Sequence, residues 1–431
     1  MADVIPFKGI LYNPEKADAD SVMAPPYDIV TPEFKEALYE RSPFNVIRID
    51  FGKDEDGDNE DENRYTRASR LLSGWLEEGI LINDPEPSFY CYEISYNPPS
   101  PPFNKGGEGG IKKTRGFFGA VRIEEFGSGR IHPHEMTYSK PKSDRLNILK
   151  YCQASTSPIF SLYSSEKKIA SSILGDIAKD KPFLEAKNGD GFIHRLWRIS
   201  DRAVVEAIMG EMSDLDILIA DGHHRYETSL KFKKEMEEKG LIKTGREPFN
   251  YTLMFLANIE DDGLTLLPTH RIVEINSDIH PKDVLGKYFD IQKVSPAGTS
   301  ERQTRQKMFE LMKKGAHSFG MFLTNSNTYY TLFFNGGKID LSLPDCLRNL
   351  DVTVLHKFIF EKLLNIEHYE YEMDPDVAVE RARKGSFEAV FFLNPTGIHD
   401  VKEVALAGQR MPPKSTYFYP KLLTGMVIYK F

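Results

Sequence analysis

Residues 221–226 read Asp-Gly-His-His-Arg-Tyr and follow the apolar run Ile217-Leu218-Ile219-Ala220. A short continuous apolar run marks a strand buried on both faces. Gly222 lets the backbone turn sharply and approach a ligand closely. A helix starting there aims its free N–H groups and the positive end of its dipole past the strand end. Strand, tight turn and helix together make an anion site. His223 and His224 can donate to phosphate oxygens, and Arg225 can grip a phosphate in a two-pronged fork. Asp221 is suited to hold a magnesium ion or to accept a hydroxyl proton. A capping aspartate with two surface histidines would explain one or two of these residues, but not all five together.

Three further clusters carry reactive side chains. His132-Pro133-His134-Glu135 precedes Lys140, Lys142, Asp144 and Arg145. Pro133 imposes an extended or turning backbone, and the histidine spacing matches no helical zinc motif. The segment offers a base, Glu135, beside cations that seek phosphate. A solvated charged loop is the plain alternative. Residues 409–421 mix Arg410, Lys414 and Lys421 with hydroxyls, prolines and aromatics. This segment is expected to pack on the protein and deliver one of its cations to a buried anion, unless it only leads into a last strand. Ala24-Pro25-Pro26-Tyr27-Asp28 holds Tyr27 and Asp28 on a stiff turn; His270-Arg271 is a weaker candidate of the same kind.

The elements that must position these groups follow from pattern. Thr31-Pro32-Glu33 opens a helix, with Thr31 as cap and Pro32 in the first turn. Asn45 to Asp50 alternates like a half-buried strand. Tyr65, Ala68, Leu72, Trp75 and Leu76 keep helical spacing up to Gly79. Strands are expected over 88–96 and 114–124, joined by a Pro/Gly-rich hairpin tip that makes 97–113 an insertion. The glycines of that tip do not form a phosphate loop, since neither a Gly-Lys-Ser/Thr sequence nor a helix follows. The acidic run at 54–63 fails as a calcium loop, with Gly57 misplaced and Tyr65 where a bidentate Glu is needed. Helices are expected near 144–152, 200–212, 301–314 and 352–364, and strands over 216–220, 251–257, 317–335, 388–393 and 424–431. The pattern predicts an α/β, mixed α+β protein: an N-terminal α/β domain over 1–275 and a C-terminal α+β domain over 276–431 whose final loop returns to the site.

Bulk composition narrows the classes. The 431 residues carry 55 Lys and Arg against 64 Asp and Glu, a net charge of −9. An acidic protein repels nucleic-acid backbones unless a basic patch is present, so no nucleic-acid partner is expected. The three cysteines are far apart and odd in number, which fits a reducing compartment. The start Met1-Ala2-Asp3 lacks a basic, apolar leader, and no run approaches the ~18 apolar residues of a spanning helix. A cytoplasmic protein with no membrane partner is expected.

The motifs APPYD at 24–28, HPHE at 132–135, KPKSDR at 140–145, SPIFSLY at 157–163, ADGHHRY at 220–226 and RMPPKSTYFYPK at 410–421 resemble the family called domain of unknown function 1015. The Asp221–Arg225 turn is also similar to that of the ParB/sulfiredoxin-like superfamily, where a Gly-x-x-Arg turn holds nucleotide phosphates. Some proteins with such a turn are kinases of free L-serine using ADP or ATP. The resemblance implies a ParB/sulfiredoxin-like nucleotide-binding core. It also implies phosphoryl transfer on a small hydroxylated metabolite, with L-serine and O-phosphoserine the first pair to consider. Gly222, His223, His224 and Arg225 would bind the phosphates of ATP or ADP. Asp221 would bind Mg2+ or act as base. The resemblance carries over no residue outside Asp221–Arg225; beyond that turn, residue type alone offers Glu135 as a second catalytic carboxylate and the nearby cations as its partners. Lys140, Lys142, Arg145, Arg410 and Lys414 would meet substrate or stabilise charge. Two alternatives remain open from sequence: a phosphoserine phosphatase, and a nucleotide-sensing protein without turnover.

Overall fold

The computed structural model describes residues 3–99, 110–136, 141–296, 300–336, 339 and 341–431, with Pro141 and Lys142 described by backbone alone. The chain adopts the mixed α+β class that the sequence implies, around two large sheets. The first has nine strands. Its path runs Ile131–Pro133, Ile217–Asp221, Ile159–Tyr163, Tyr251–Asn258, Lys112–Arg122, Phe89–Tyr96, Ile193–Ile199 and Leu184–Lys187, and Val4–Ile5 pairs with the end of Lys112–Arg122 off this path. Phe89–Tyr96 and Lys112–Arg122 pair as the expected hairpin, Tyr96 facing Lys112. All eight residues of Tyr251–Asn258 are buried, as a central strand requires.

The second sheet has six antiparallel strands in the order Phe289–Lys293, Thr328–Phe334, Ser318–Leu323, Ala389–Phe392, His270–Val273 and Tyr369–Glu372. One apolar core joins the facing sides of both sheets, including Phe255, Phe418, Val273, Phe391 and Met411. The helices Ile169–Ile177 and Arg202–Met212 cover the far side of the first sheet over Trp197 and Met254.

Two expectations change. Asn45–Asp50 is not a strand. Ile47–Asp50 is a short buried helix, started by Asn45, whose side-chain oxygen accepts from the Ile47 amide at 3.0 Å. Val46, Ile47 and Ile49 are all buried, so alternation was a poor guide where no face meets water. Within 424–431 only Tyr429–Lys430 is strand, pairing with Ala154–Ser155, while Tyr417–Tyr419 pairs with Thr265–Leu267. Isolated bridges on either side of Tyr417–Tyr419 join Met411 to Glu135, Thr424 to Ala24 and Ile428 to Ile10. These bridges bring the last motif of the sequence against the first and second.

Candidate active site

The strand Ile217–Asp221 ends in a bulge. Ile219 pairs with Ser161 and Asp221 with Phe160, leaving Ala220 as the extra residue. Bulges re-aim the side chains that follow them. Gly222 then takes φ +95° and the helix His223–Glu238 begins. A Cβ at Gly222 would stand 2.8 Å from Arg225 Nε, so the guanidinium lies folded against the turn. Among the described residues no side chain caps this helix start, which leaves its first N–H groups directed at the adjoining space.

That space is a cleft of about 230 Å³ lined by Tyr27, Asp28, Glu135, Met136, Asp221, Gly222, His223, His224, Arg225 and Lys414. Four motifs separated by up to hundreds of residues therefore meet at one place. Asp221 sits between two cations: Lys421 Nζ is 3.1 Å from its Oδ2, and one Arg225 terminal nitrogen is 3.5 Å away. Burial opposes ionisation of Asp221, but Lys421 and Arg225 overcome it and hold the carboxyl well below the usual range. Burial also works against the charge on Lys421, yet Asp221 raises its pKa. The pair is ionised on both sides.

Glu135 behaves in the opposite way. Burial pushes its pKa up to about 7, although the Lys414 amide and ammonium pull it down. Its Oε1 accepts from the Lys414 N–H at 2.9 Å. The cleft thus sets Asp221, which stays charged, near Glu135, which changes protonation near neutrality. Unlike environments for neighbouring carboxylates are how a site separates an anchor from an acid or base.

The histidines divide. His134 is fully buried; its Nδ1 lies 2.7 Å from Ile219 O, so Nδ1 carries the proton and the Thr416 hydroxyl donates to Nε2 at 2.9 Å. Its backbone N–H donates to His223 Nε2 at 3.3 Å. His223 Nε2 is therefore an acceptor within the protein, and burial keeps this ring neutral. The phosphate-donor role expected of His223 is not available to that nitrogen. His224 is half-buried in the cleft wall.

The remaining cations are placed as follows. Arg225 donates one terminal nitrogen to Ser157 Oγ at 3.1 Å and to Pro158 O, so part of its fork holds the SPIFSLY segment. Lys414 lines the cleft. Arg145 does not: it is buried, 3.1 Å from Asp50, 2.6 Å from Asp144, and 4.0 Å beneath the Tyr27 ring. The substrate-contact role expected of Arg145 gives way to a strut under Tyr27. Arg410 lies outside the cleft lining, 5.1 Å over Phe126 and 3.9 Å from Glu227. Lys140 lies outside the described residues, as does the side chain of Lys142. Of the three cations expected to reach a buried anion, Lys421 makes the hydrogen-bonded pair, with the part-buried Asp221. Ser157 and Pro158 carried no chemical signal of their own in the sequence.

Among the described residues no group of three or more His, Cys, Asp or Glu side chains could hold a metal ion. Asp221, the expected magnesium ligand, is instead paired with two cations. These residues do not form a metal site on their own.

Residues 4–353 match the family model described as Protein of unknown function (DUF1015). The chain belongs to the DUF1015 family. In this DUF1015 member the matched segment supplies Tyr27, Asp28, Glu135 and the Asp221–Arg225 turn, while Lys414 and Lys421 lie beyond it. None of the curated proteins matches the sequence. Among solved structures, similar ones include a free serine kinase in complex with AMP (14% identity, 67% of this chain and 83% of that chain, TM-score 0.34). A C-terminally truncated SbnI from Staphylococcus aureus shares 8% identity over 71% of this chain and 85% of its own, TM-score 0.35. A conserved hypothetical protein from Pyrococcus furiosus shares 15% over 67% and 87%, TM-score 0.31. No helix among the described residues is long and apolar enough to cross a membrane.

Proposed function

We propose that this protein transfers a phosphoryl group between a nucleotide and a small hydroxylated metabolite, with L-serine and O-phosphoserine as the pair to test first. One observation supports it above the others: Glu135, with its pKa at about 7, shares a cleft at a helix N-terminus with ionised Asp221 and the cations Arg225 and Lys414. Phosphoryl transfer asks for positioning and charge stabilisation more than for covalent chemistry. Glu135 takes the hydroxyl proton as the oxygen attacks the nucleotide's terminal phosphorus; the bond from that phosphorus to the bridging oxygen breaks, and the nucleotide leaves one phosphate shorter. Lys414, Arg225 and the first-turn N–H groups face the charge on the transferred group. Asp221 keeps Lys421 and Arg225 in register. Magnesium, entering with the nucleotide, would supply further neutralisation of the phosphates.

Phosphorus NMR tests this with magnesium present. One tube holds ATP or ADP with L-serine, the other O-phosphoserine alone. New phosphoserine with matching nucleotide loss is expected, and Glu135→Gln should lower the rate by roughly 100-fold or more while nucleotide binding persists. Free phosphate from phosphoserine alone would make the protein a phosphatase. Turnover in neither tube, with nucleotide still raising the melting temperature, would replace the proposal by a nucleotide-sensing protein.

A further inference from the structure

Arg271 stands on the His270–Val273 strand inside the second sheet and is fully buried. Its Nε donates to His356 Nε2 at 2.9 Å, one terminal nitrogen to Thr269 O at 2.6 Å, and the other to Lys414 O at 3.0 Å. The Tyr371 ring lies 4.6 Å from the guanidinium. A planar, rigid donor held at three points has little freedom to move. At the far end of the third bond, Lys414 has φ +57°, a region few residues other than glycine adopt. The N–H of the same residue donates to Glu135. The next residue is also fixed: Thr396 Oγ1 donates to Ser415 O at 3.1 Å, and Ser415 Oγ to Pro412 O at 2.6 Å. Lys414 is thus gripped on both sides, its carbonyl by the second sheet and its amide by Glu135.

We propose that Arg271 is a positioning residue for the cleft. It holds the Lys414 backbone in its left-handed turn, so that the Lys414 amide stays on the Glu135 carboxylate and the Lys414 side chain lines the cleft. The assignment rests on the phosphoryl-transfer reading for the role of Glu135 as base, but the geometry it describes exists without turnover. It gives the second sheet a part in the site.

Arg271→Lys tests the clamp, because an ammonium keeps the charge but cannot span three acceptors. The Lys414 hydrogen bond favours ionised Glu135, so its loss should move the Glu135 titration upward from about 7. Carbon NMR of the Glu135 carboxyl reads this directly. The other groups facing Glu135, namely Asp28, Asp221, His223, His224, Arg225, Lys414 and Lys421, are the same in both proteins. Glycine adopts the left-handed turn unaided. Adding Arg271→Lys to a Lys414→Gly variant should therefore shift Glu135 much less than adding it to the wild type. A folded Arg271→Lys protein with unchanged Glu135 titration overturns the proposal. Should that variant not fold, hydrogen exchange of the wild-type Lys414 amide decides: protection supports the clamp, and exchange at the rate of an open loop overturns it. A shifted Glu135 in a protein that transfers no phosphoryl group would uphold the clamp and remove only the function proposed above.

Discussion

At the scale of single residues, Gly222 and Glu135 carry the sharpest consequences. Gly222 combines φ +95° with the Arg225 guanidinium lying where a Cβ would go. Gly222→Ala should cost at least ~1 kcal/mol from the backbone alone and push Arg225 off Asp221. Urea unfolding and pyrophosphate titration would measure both; wild-type values in each would show that the turn does not depend on glycine. Glu135 must be ionised to act as a base. With its pKa at about 7, the rate should fall as pH drops below neutrality, and Glu135→Gln should abolish that limb along with most of the activity. A rate flat from pH 8 to pH 5.5 would rule Glu135 out as the base.

The packing of elements explains why Arg145 was misread from sequence. A cation four residues after Pro141 looks available for phosphate. The first turn of the helix Pro141–Cys152 instead lays it against the buried helix Ile47–Asp50, where Asp50 is 1% exposed. Thr156 Oγ1 donates to the other Asp50 oxygen at 2.6 Å. Removing one partner of a buried ion pair strands the other, at a cost of about 3–5 kcal/mol. Arg145→Ala should therefore destabilise strongly and loosen Tyr27, which rests on it. Denaturant midpoints would check the first effect, and the ring line widths of Tyr27 the second. A cost near that of a surface substitution would mean that Asp50 is not dependent on Arg145. The helix starts were easier to read: Thr31 accepts from the Phe34 amide at 3.2 Å, as its place before Pro32 implies.

Across the whole molecule, five histidines among the described residues are held neutral, and burial takes His223 well below its ordinary value. Burial lowers His134 to about 4, His194 and His270 to about 3, and His356 to about 2. Each takes up a proton more readily when unfolded, so the stability it allows is present above about pH 6.5 and is lost as pH falls toward the folded value. Glu135 runs the other way: its folded value of about 7 exceeds the unfolded one, so its contribution is present in acid and lost as pH rises through 7. Five groups oppose one. The melting temperature should fall steadily from pH 6.5 to pH 4, and a scan that stays level or rises over that range would contradict these placements. The His134 and His270 sites lie against different sheets, so the loss should appear as one cooperative transition shifting rather than as one region melting first.

Local order along the chain was enough to determine several things. The buried strand before Asp221, the glycine turn and the helix after it follow from residue type and spacing alone, because strand burial, positive φ and helix initiation are local properties. So do the capped helix at Thr31 and the pairing of Phe89–Tyr96 with Lys112–Arg122, the tip at 100–109 lying outside the described residues. Tertiary structure decided everything that depends on partners. It chose Lys421 over Arg410 as the counter-charge of Asp221 and turned Arg145 from ligand contact to strut. It also made His223 an acceptor and lifted Glu135 to about 7. None of these could be read in order along the chain. A side chain's charge state and free hydrogen bonds are set by what the fold packs around it, and here those neighbours come from residues 24–28, 132–135, 157–158 and 410–421 at once.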